Sequence, residues 1–392
     1  MSHAEAIDRR ARPILERLVA FDTTSRASNL DLIAWVEAYL ADLDIASHRI
    51  ANAAGDKANL LAVIGPAQTP GGFILSGHTD VVPVDGQAWT SDPWALVERD
   101  GRLFGRGACD MKGFLALALA ALPTALAAPL ARPLALAFSY DEEVGCFGAP
   151  SMIQAMPNHM ATPTVVIIGE PTSMQVVQGH KGISVFSVEV RGIEAHSGLT
   201  HLGLSANMVA VRLMDHLVRL ADQLEAQGDA DETSRFLPRG ATLTIGTIVG
   251  GTAGNILARD CRFQFDLRTL PDMDPKTVLA PFMAAAADLD AQIKTRFAQA
   301  GVTVTQAADV PALRPPTNDR AETVVRSLAG DNGPSRVVSY AAEAGQFQLG
   351  GYDAVLCGPG SIDQAHQPDE YVEVAQMQRG AAFMARLIEA LR

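Results

Sequence analysis

Residues 71–113 read GGFILSGHTDVVPVDGQAWTSDPWALVERDGRLFGRGACDMKG. The apolar run Phe73–Leu75 predicts a short buried strand, and the chain turns polar at once in His78-Thr79-Asp80, so the strand delivers a histidine to its exit. In extended backbone residues two apart share a face. Asp80 is therefore expected to accept a hydrogen bond from the His78 ring nitrogen left over when the other binds a metal. Further on, Asp110 stands in Gly-Ala-Cys-Asp-Met-Lys-Gly, a loop feeding the apolar run Phe114–Leu122. That position reads as a helix entrance, where the dipole favours a carboxylate. An Asp before a helix is most often an N-cap, and H-x-D alone is mostly chance, so the weight falls on the rest of the chain.

Working outward, residues 4–20 and 29–43 have the spacing of amphipathic helices, the second capped by Asn29. Apolar strands are expected at Leu60–Ile64, Leu134–Phe138, Thr164–Ile168 and Val355–Cys357. The second runs into Ser139-Tyr140-Asp141-Glu142-Glu143, the third into Gly169-Glu170-Pro171-Thr172, and the fourth into a Gly/Pro loop ending in Ala365-His366-Gln367-Pro368-Asp369-Glu370. Apolar strands alternating with helices imply an α/β fold, a mainly parallel sheet flanked by helices, whose ligands bind beyond the carboxyl ends of the strands.

Between Gly182 and Ala308 the texture changes. Ile183–Val190 and Cys261–Leu267 alternate like half-buried antiparallel strands, with a helix carrying Ala210, Leu213, Leu217, Leu220 and Leu224, a hydrophilic loop at 228–239, and a strand Thr242–Val249 between them. A long helix at 275–300 and a last strand Val302–Val304 complete β-α-β-β-α-β, the order of an α+β split βαβ (ferredoxin-like) sandwich with one open sheet face. It reads as an insertion at 182–309 in a domain made of 1–181 and 310–392.

With 392 residues the chain exceeds what one core usually serves. No apolar run reaches the ~20 residues that span a bilayer, and Pro123 is expected to close the Ala/Leu-rich helix. The first residues mix both charges without an apolar core, which reads as a soluble cytoplasmic protein with no membrane partner. Cys109, Cys146, Cys261 and Cys357 lack C-x-x-C spacing, which argues against a disulfide framework or zinc finger. A formal charge of −13 disfavours nucleic acid as a partner.

The strand-end residues His78, Asp110, Glu143, Glu170 and His366 form a set of two imidazoles and three carboxylates that suits two borderline divalent ions such as zinc. Asp110, short and nearest the centre, is the natural bridge. Without metal the clustered carboxylates repel and drive a proton back on. Glu142 adjoins Glu143 but cannot point the same way, which leaves one carboxylate for metal and one free for proton transfer.

The motifs H-T-D at 78–80, G-A-C-D-M-K-G at 107–113, D-E-E-V-G at 141–145, G-E-P-T at 169–172 and G-P-G-S-I-D-Q-A-H-Q-P-D-E-Y at 358–371 resemble those of the M20 family of dinuclear zinc amidohydrolases, in order and over nearly the whole chain. The resemblance implies a zinc-exopeptidase-like catalytic domain and an inserted domain that serves as lid and homodimer contact. It implies two Zn2+, replaceable by Co2+, one held by His78, Asp110 and Glu170 and the other by Asp110, Glu143 and His366. It also implies Glu142 as general acid/base, Asp80 beside His78, and His196 reaching the partner subunit's site to stabilise the oxyanion. Asn255 and Arg268 match substrate contacts. So does Gly345 of A-E-A-G, although Ala342 stands where some relatives carry Thr. The implied reaction is hydrolysis of the amide of a small N-acyl amino acid, N2-acetyl-L-ornithine first, with succinyl-diaminopimelate or a broader N-acyl range as the alternative.

Overall fold

The structure, a computed structural model, describes residues 1–231, 233–316 and 320–392. Glu232 of the expected hydrophilic loop and residues 317–319 of the returning segment lie outside the described residues. In chain order the elements are α1 (His3–Val19), α2 (Leu30–Ala41), β1 (Ser47–Ala51), β2 (Ala58–Ile64), β3 (Phe73–His78), β4 (Val97–Arg99), β5 (Arg102–Phe104), α3 (Gly113–Leu126), β6 (Leu134–Ser139), α4 (Ala149–Ala155), β7 (Val165–Pro171) and β8 (Val177–His180). Then come β9 (Gly182–Arg191), α5 (Ala206–Ala230), β10 (Thr242–Gly250), β11 (Asp260–Thr269), α6 (Pro275–Arg296) and β12 (Gly301–Val310). The chain ends with α7 (Arg320–Ala329), β13 (Arg336–Val338), α8 (Ala344–Leu349), β14 (Ala354–Gly358), β15 (Tyr371–Glu373) and α9 (Val374–Ala390).

These elements form two compact units: Met1–Gly179, Pro315–Arg336 and Ala342–Arg392 make the first, His180–Arg314 and Val337–Ala341 the second. The boundaries differ from the expected 182–309. Residues 310–314 and 337–341 go with the second unit because their backbone is bonded there: His180 and Leu313 exchange amide bonds at 3.2 and 3.1 Å, and Lys181 N donates to Val338 O at 3.3 Å.

In the first unit the strands run in the order β1-β2-β6-β3-β7-β14-β8. The central four, β6, β3, β7 and β14, are parallel, and the flanking strands are antiparallel. The central strands are buried at every residue, which is why they read as unbroken apolar runs. Their carboxyl ends lie side by side, with His78 opposite Ser139 in the register of β3 and β6.

Two expectations are corrected here. The helix over the sheet does not close at Pro123 but runs on to Leu126. Proline removes the N–H that Leu119 O would have accepted, and the Tyr39 hydroxyl donates to that oxygen instead, at 3.2 Å. Arg10 supports the last turn from α1 through Ala120 O at 2.9 Å and Thr124 Oγ1 at 2.6 Å. Asn29 holds the N-cap position of α2 without capping it. Its amide instead pairs both ways with Ala58, at 2.8 and 3.0 Å, and donates to Thr79 Oγ1 at 2.9 Å, so it braces the exit of β3. Gly169 is needed for space: a Cβ there would lie 2.0 Å from the Phe114 ring of α3.

In the second unit the sheet order is β10-β11-β9-β12, every pair antiparallel, and α5 and α6 pack on it. The strand–helix order is the expected β-α-β-β-α-β, with the last strand longer than Val302–Val304. Phe186 and Phe265 stack at 5.2 Å and Phe282 of α6 meets Phe265 edge-on at 5.3 Å, forming the centre of this core. The other face, with Glu189, Arg262 and Gln264, is exposed.

Candidate metal centre

The carboxyl ends of β3, β6, β7 and β14 bring the predicted ligands of the first unit together. His78 Nε2 lies 3.0 Å from Asp110 Oδ1 and 4.0 Å from Glu170 Oε1. His366 Nε2 lies 2.9 Å from Glu143 Oε2 and 3.4 Å from Asp110 Oδ2. The side chains thus fall into two triads, His78-Asp110-Glu170 and Asp110-Glu143-His366, with donor atoms of each within 4.8 Å of one another. Tetrahedral zinc with ligands at about 2.0–2.1 Å sets them about 3.3 Å apart, so both triads have the right spread. Asp110 turns one oxygen to each. Glu170 Oε1 is buried with no hydrogen-bond partner. A buried, unsatisfied carboxylate oxygen facing an imidazole nitrogen fits a cation as its missing partner.

The electrostatics point the same way. Burial raises the carboxyl groups of Glu142 and Glu170 well above the ordinary range, and the charges of Asp110 and the neighbouring glutamates add to it. Burial and the Asp110 charge push Glu143 up to about 7. Asp110 resists burial because His366 and His78 donate to it, which holds its carboxyl below the ordinary range. Burial alone would lower His78, yet Asp110, Glu142 and Asp80 outweigh it and hold the imidazole well above its usual value. Protons crowd onto the site wherever positive charge is wanted.

What holds these groups departs from expectation. The ring Nδ1 of His78 bonds the backbone carbonyl of Asp80 at 2.9 Å, while the Asp80 carboxylate is 3.7 Å away. That carboxylate accepts from the amides of Glu142 and Glu143, at 3.1 and 3.2 Å, and from Ser25 Oγ at 2.7 Å. Asp80 therefore anchors the acidic turn, and its carbonyl sets the His78 ring. Glu370, although only four residues from His366, accepts from Arg106 Nη1 at 2.7 Å and from the amides of Gly107, Cys109 and Asp110 at 2.9, 2.9 and 3.0 Å. It pins the turn that carries Asp110. Asp110 itself stands in this turn, ahead of the helix that opens at Gly113, so Glu370 rather than the helix dipole governs its backbone.

Glu142 belongs to neither triad. The thiol of Cys146 donates to its Oε1 at 3.5 Å. Lys57 secures the turn from outside, donating to Asp141 Oδ1 at 2.5 Å and to Ser25 O. Gly345 is buried in the first turn of α8. The residue before that helix is Glu343. It is buried between Ser139 and Ser76, whose hydroxyls donate to its two oxygens, the second at 3.4 Å. Its place in A-E-A-G gave no signal, because only folding brings it under β3 and β6.

Burial first, and the Asp80 charge after it, raise Glu343 from an ordinary 4.5 to about 7 although both serines lower it. A folded-state value above the unfolded one means stability present below pH ~4.5 and lost as pH rises through about 7, on the order of 3 kcal/mol in the metal-free protein. Glu343→Gln, neutral at every pH, escapes this loss. In urea unfolding of the chelated protein the variant is expected to gain on the wild type as pH rises from 4.5 to about 7 and to keep that gain at higher pH. Parallel pH curves would show that the folded-state carboxyl of Glu343 ionises at its ordinary value.

In the second unit His196 and Asn255 are exposed neighbours. Ser197 N donates to Asn255 O at 2.9 Å, and His196 Nδ1 accepts from Gly198 N at 3.1 Å. Arg268, at the opposite end of β11, lies 3.9 Å from Asp266.

Residues 74–390 match peptidase family M20/M25/M40. The chain is 37% identical over 390 residues to an acetylornithine deacetylase of Myxococcus xanthus, covering 96% of both. Its fold is like that of an M20 family metallo-carboxypeptidase from Sulfolobus solfataricus, with TM-score 0.74 and 16% identity over 97% of this chain and 98% of that one. It is also like that of a dinuclear metal-binding M20 peptidase of Bacillus subtilis, with TM-score 0.62 and 12% identity over 99% of both. With the match spanning both units and every strand-end triad residue, the chain belongs to peptidase family M20/M25/M40, a family of hydrolases.

Proposed function

We propose that the chain is a dinuclear zinc deacetylase that hydrolyses the amide of N2-acetyl-L-ornithine to L-ornithine and acetate, a step of arginine biosynthesis. The observation that carries the hydrolytic part is Asp110, whose two oxygens are divided between two triads beside a carboxylate, Glu142, that belongs to neither. The substrate rests on the 37% identity to the Myxococcus xanthus deacetylase. His78, Asp110 and Glu170 would hold one dication and Asp110, Glu143 and His366 the other, and the pair would acidify a water and polarise the acyl oxygen. Glu142, a carboxylate outside both triads, takes the water's proton and delivers it to the departing amine. Asp80 keeps Glu142 in place through its amide.

Arg268 clamps the substrate carboxylate, and His196 with Asn255 serves the oxyanion and the acyl group. Arg268 is eight residues along β11 from Asp260, about 27 Å in extended backbone. His196 and Asn255 join that strand at its Asp260 end, where Gly192 N donates to Arg259 O at 2.6 Å. An acyl-ornithine spans only about 10 Å, so one chain does not offer a single substrate both ends. This supports a homodimer in which one subunit supplies Arg268 and the other supplies His196 and Asn255. The edge strand β10 offers a contact: Ile248 and Val249 are 58% and 73% exposed, beside α5 with Met208, Val211 and Val218 outward.

Two experiments test this. Acetylornithine, succinyl-diaminopimelate and other N-acyl amino acids are assayed side by side before and after chelation. Acetate release from acetylornithine is expected to dominate, to vanish on chelation and to return with zinc or cobalt; a preference for the succinyl substrate would move the enzyme to the alternative specificity. Separately, Ile248→Lys with Val249→Lys is expected to give monomers by light scattering that retain both zinc ions and lose most of kcat. A fully active monomer would refute the shared site.

A further inference from the structure

We infer that Gln87, which stands outside every motif, fixes His366 and thereby sets the affinity for the cation held by Asp110, Glu143 and His366; the inference rests on the two-cation reading above. His78 and Glu170 lie on strand ends buried in the sheet. His366 is placed differently. It sits in the loop between the turn at Ile362–Gln364 and β15, in left-handed backbone at φ +62, with 51% of its side chain exposed. Neither packing nor a favoured backbone conformation holds it.

What meets it is the amide of Gln87, whose Nε2 donates to His366 O at 2.9 Å. The amide can point only one way, because Oε1 already accepts from Trp89 Nε1 at 3.0 Å and from Arg106 Nη2 at 2.5 Å. Flipped, it would set its N–H groups against two donors. Arg106 is in turn buried, bonded to Glu370 and stacked 4.9 Å over the Trp89 ring. Thr90 N donates to Asp369 Oδ1 at 2.9 Å, so the 87–90 segment clasps the His366 loop at two points. The other triad has separate supports: the Asp80 carbonyl for His78 and the Glu370 carboxylate for the Asp110 backbone. Gln87 is thus a positioning residue for one cation of the pair. Partners at this remove from a metal are worth about 10–100-fold in its affinity.

The test is zinc calorimetry on the chelated full-length protein. Wild type is expected to show two binding events. Gln87→Glu, which keeps the acceptor for Arg106 and Trp89 but turns the donor into an acceptor, and Gln87→Ala are each expected to weaken one event about 10–100-fold and leave the other unchanged. That event must be the one lost in His366→Ala. Glu370→Gln, acting through the backbone of the shared Asp110, is expected to weaken both. Two events of wild-type affinity in both Gln87 variants, or equal weakening of both events, would overturn the role of Gln87 alone. A single event in the wild type would instead overturn the two-cation reading. Matching melting curves of the chelated Gln87 variants and wild type exclude a mere folding defect.

Discussion

Glu142→Gln is expected to bind both zinc ions as the wild type does and to lose about 10²–10⁴ in kcat, the usual worth of a positioned proton carrier. The separation of the two effects follows from the geometry. Glu143 contributes Oε2 to the triad of Asp110 and His366, whereas the carboxylate of Glu142 contributes to neither triad. The turn that carries them is held by its backbone, since both amides donate to Asp80, and Lys57 ties down Asp141. Replacing one oxygen by NH2 leaves those bonds alone. It also leaves an oxygen able to accept from the Cys146 thiol. What the amide cannot do is accept a proton. Zinc content by metal analysis, together with kcat, checks both halves: a loss below about tenfold would remove Glu142 from the chemistry, and a variant that fails to hold two zinc ions would make it a ligand.

The sequence exposed the frame of this site more fully than its supports. Strands buried on both faces leave apolar runs, and the residue that ends each run must face the carboxyl end of the sheet, so His78 and Glu170 could be placed from Phe73–Leu75 and Thr164–Ile168 alone. Asp110, Glu143 and His366 lie beyond the strand ends in irregular backbone with no period to read, so the sequence marked them as members of one ligand set, and their division between two ions came from the family resemblance. The supports were not legible for the same reason. Whether the Asp80 carboxylate faces the ring of His78 or the amides at 142 and 143 depends on a turn in which Asp141 and Cys146 take positive φ, 57° and 53°. Neither is a glycine, and nothing local announces the turn. Glu370 reaches Asp110 across a separation of 260 residues, and Gln87 reaches His366 across 279. Contacts of that range belong to the fold, and a reading confined to neighbours in the chain assigns such residues to the nearest plausible partner. Glu370 is such a residue: four positions from His366 in the chain, it serves the backbone of Asp110 in the fold.

Asp110→Ala is expected to cost more than any other single ligand change, because it is the one side chain common to both triads. Its Oδ1 is 3.0 Å from His78 Nε2 and its Oδ2 3.4 Å from His366 Nε2, so a methyl group leaves each cation with only two of its three protein ligands. Glu170→Ala and His366→Ala, by contrast, each spoil one triad and spare the other. The backbone of the turn survives the change, since Glu370 holds the amide of residue 110 rather than its side chain. The loss is therefore one of metal and not of fold. Zinc that binds only the folded chain stabilises it by RT ln(1 + [Zn]/Kd), about 4 kcal/mol at a thousandfold excess over Kd, which the wild type should show as a rise in melting temperature on adding zinc. In Asp110→Ala that rise should disappear and amide hydrolysis should fall to background, while Glu170→Ala and His366→Ala each keep part of the rise. If Asp110→Ala still bound one zinc with wild-type affinity, the two triads would not share their ligand, and the division of its oxygens between them would carry no function.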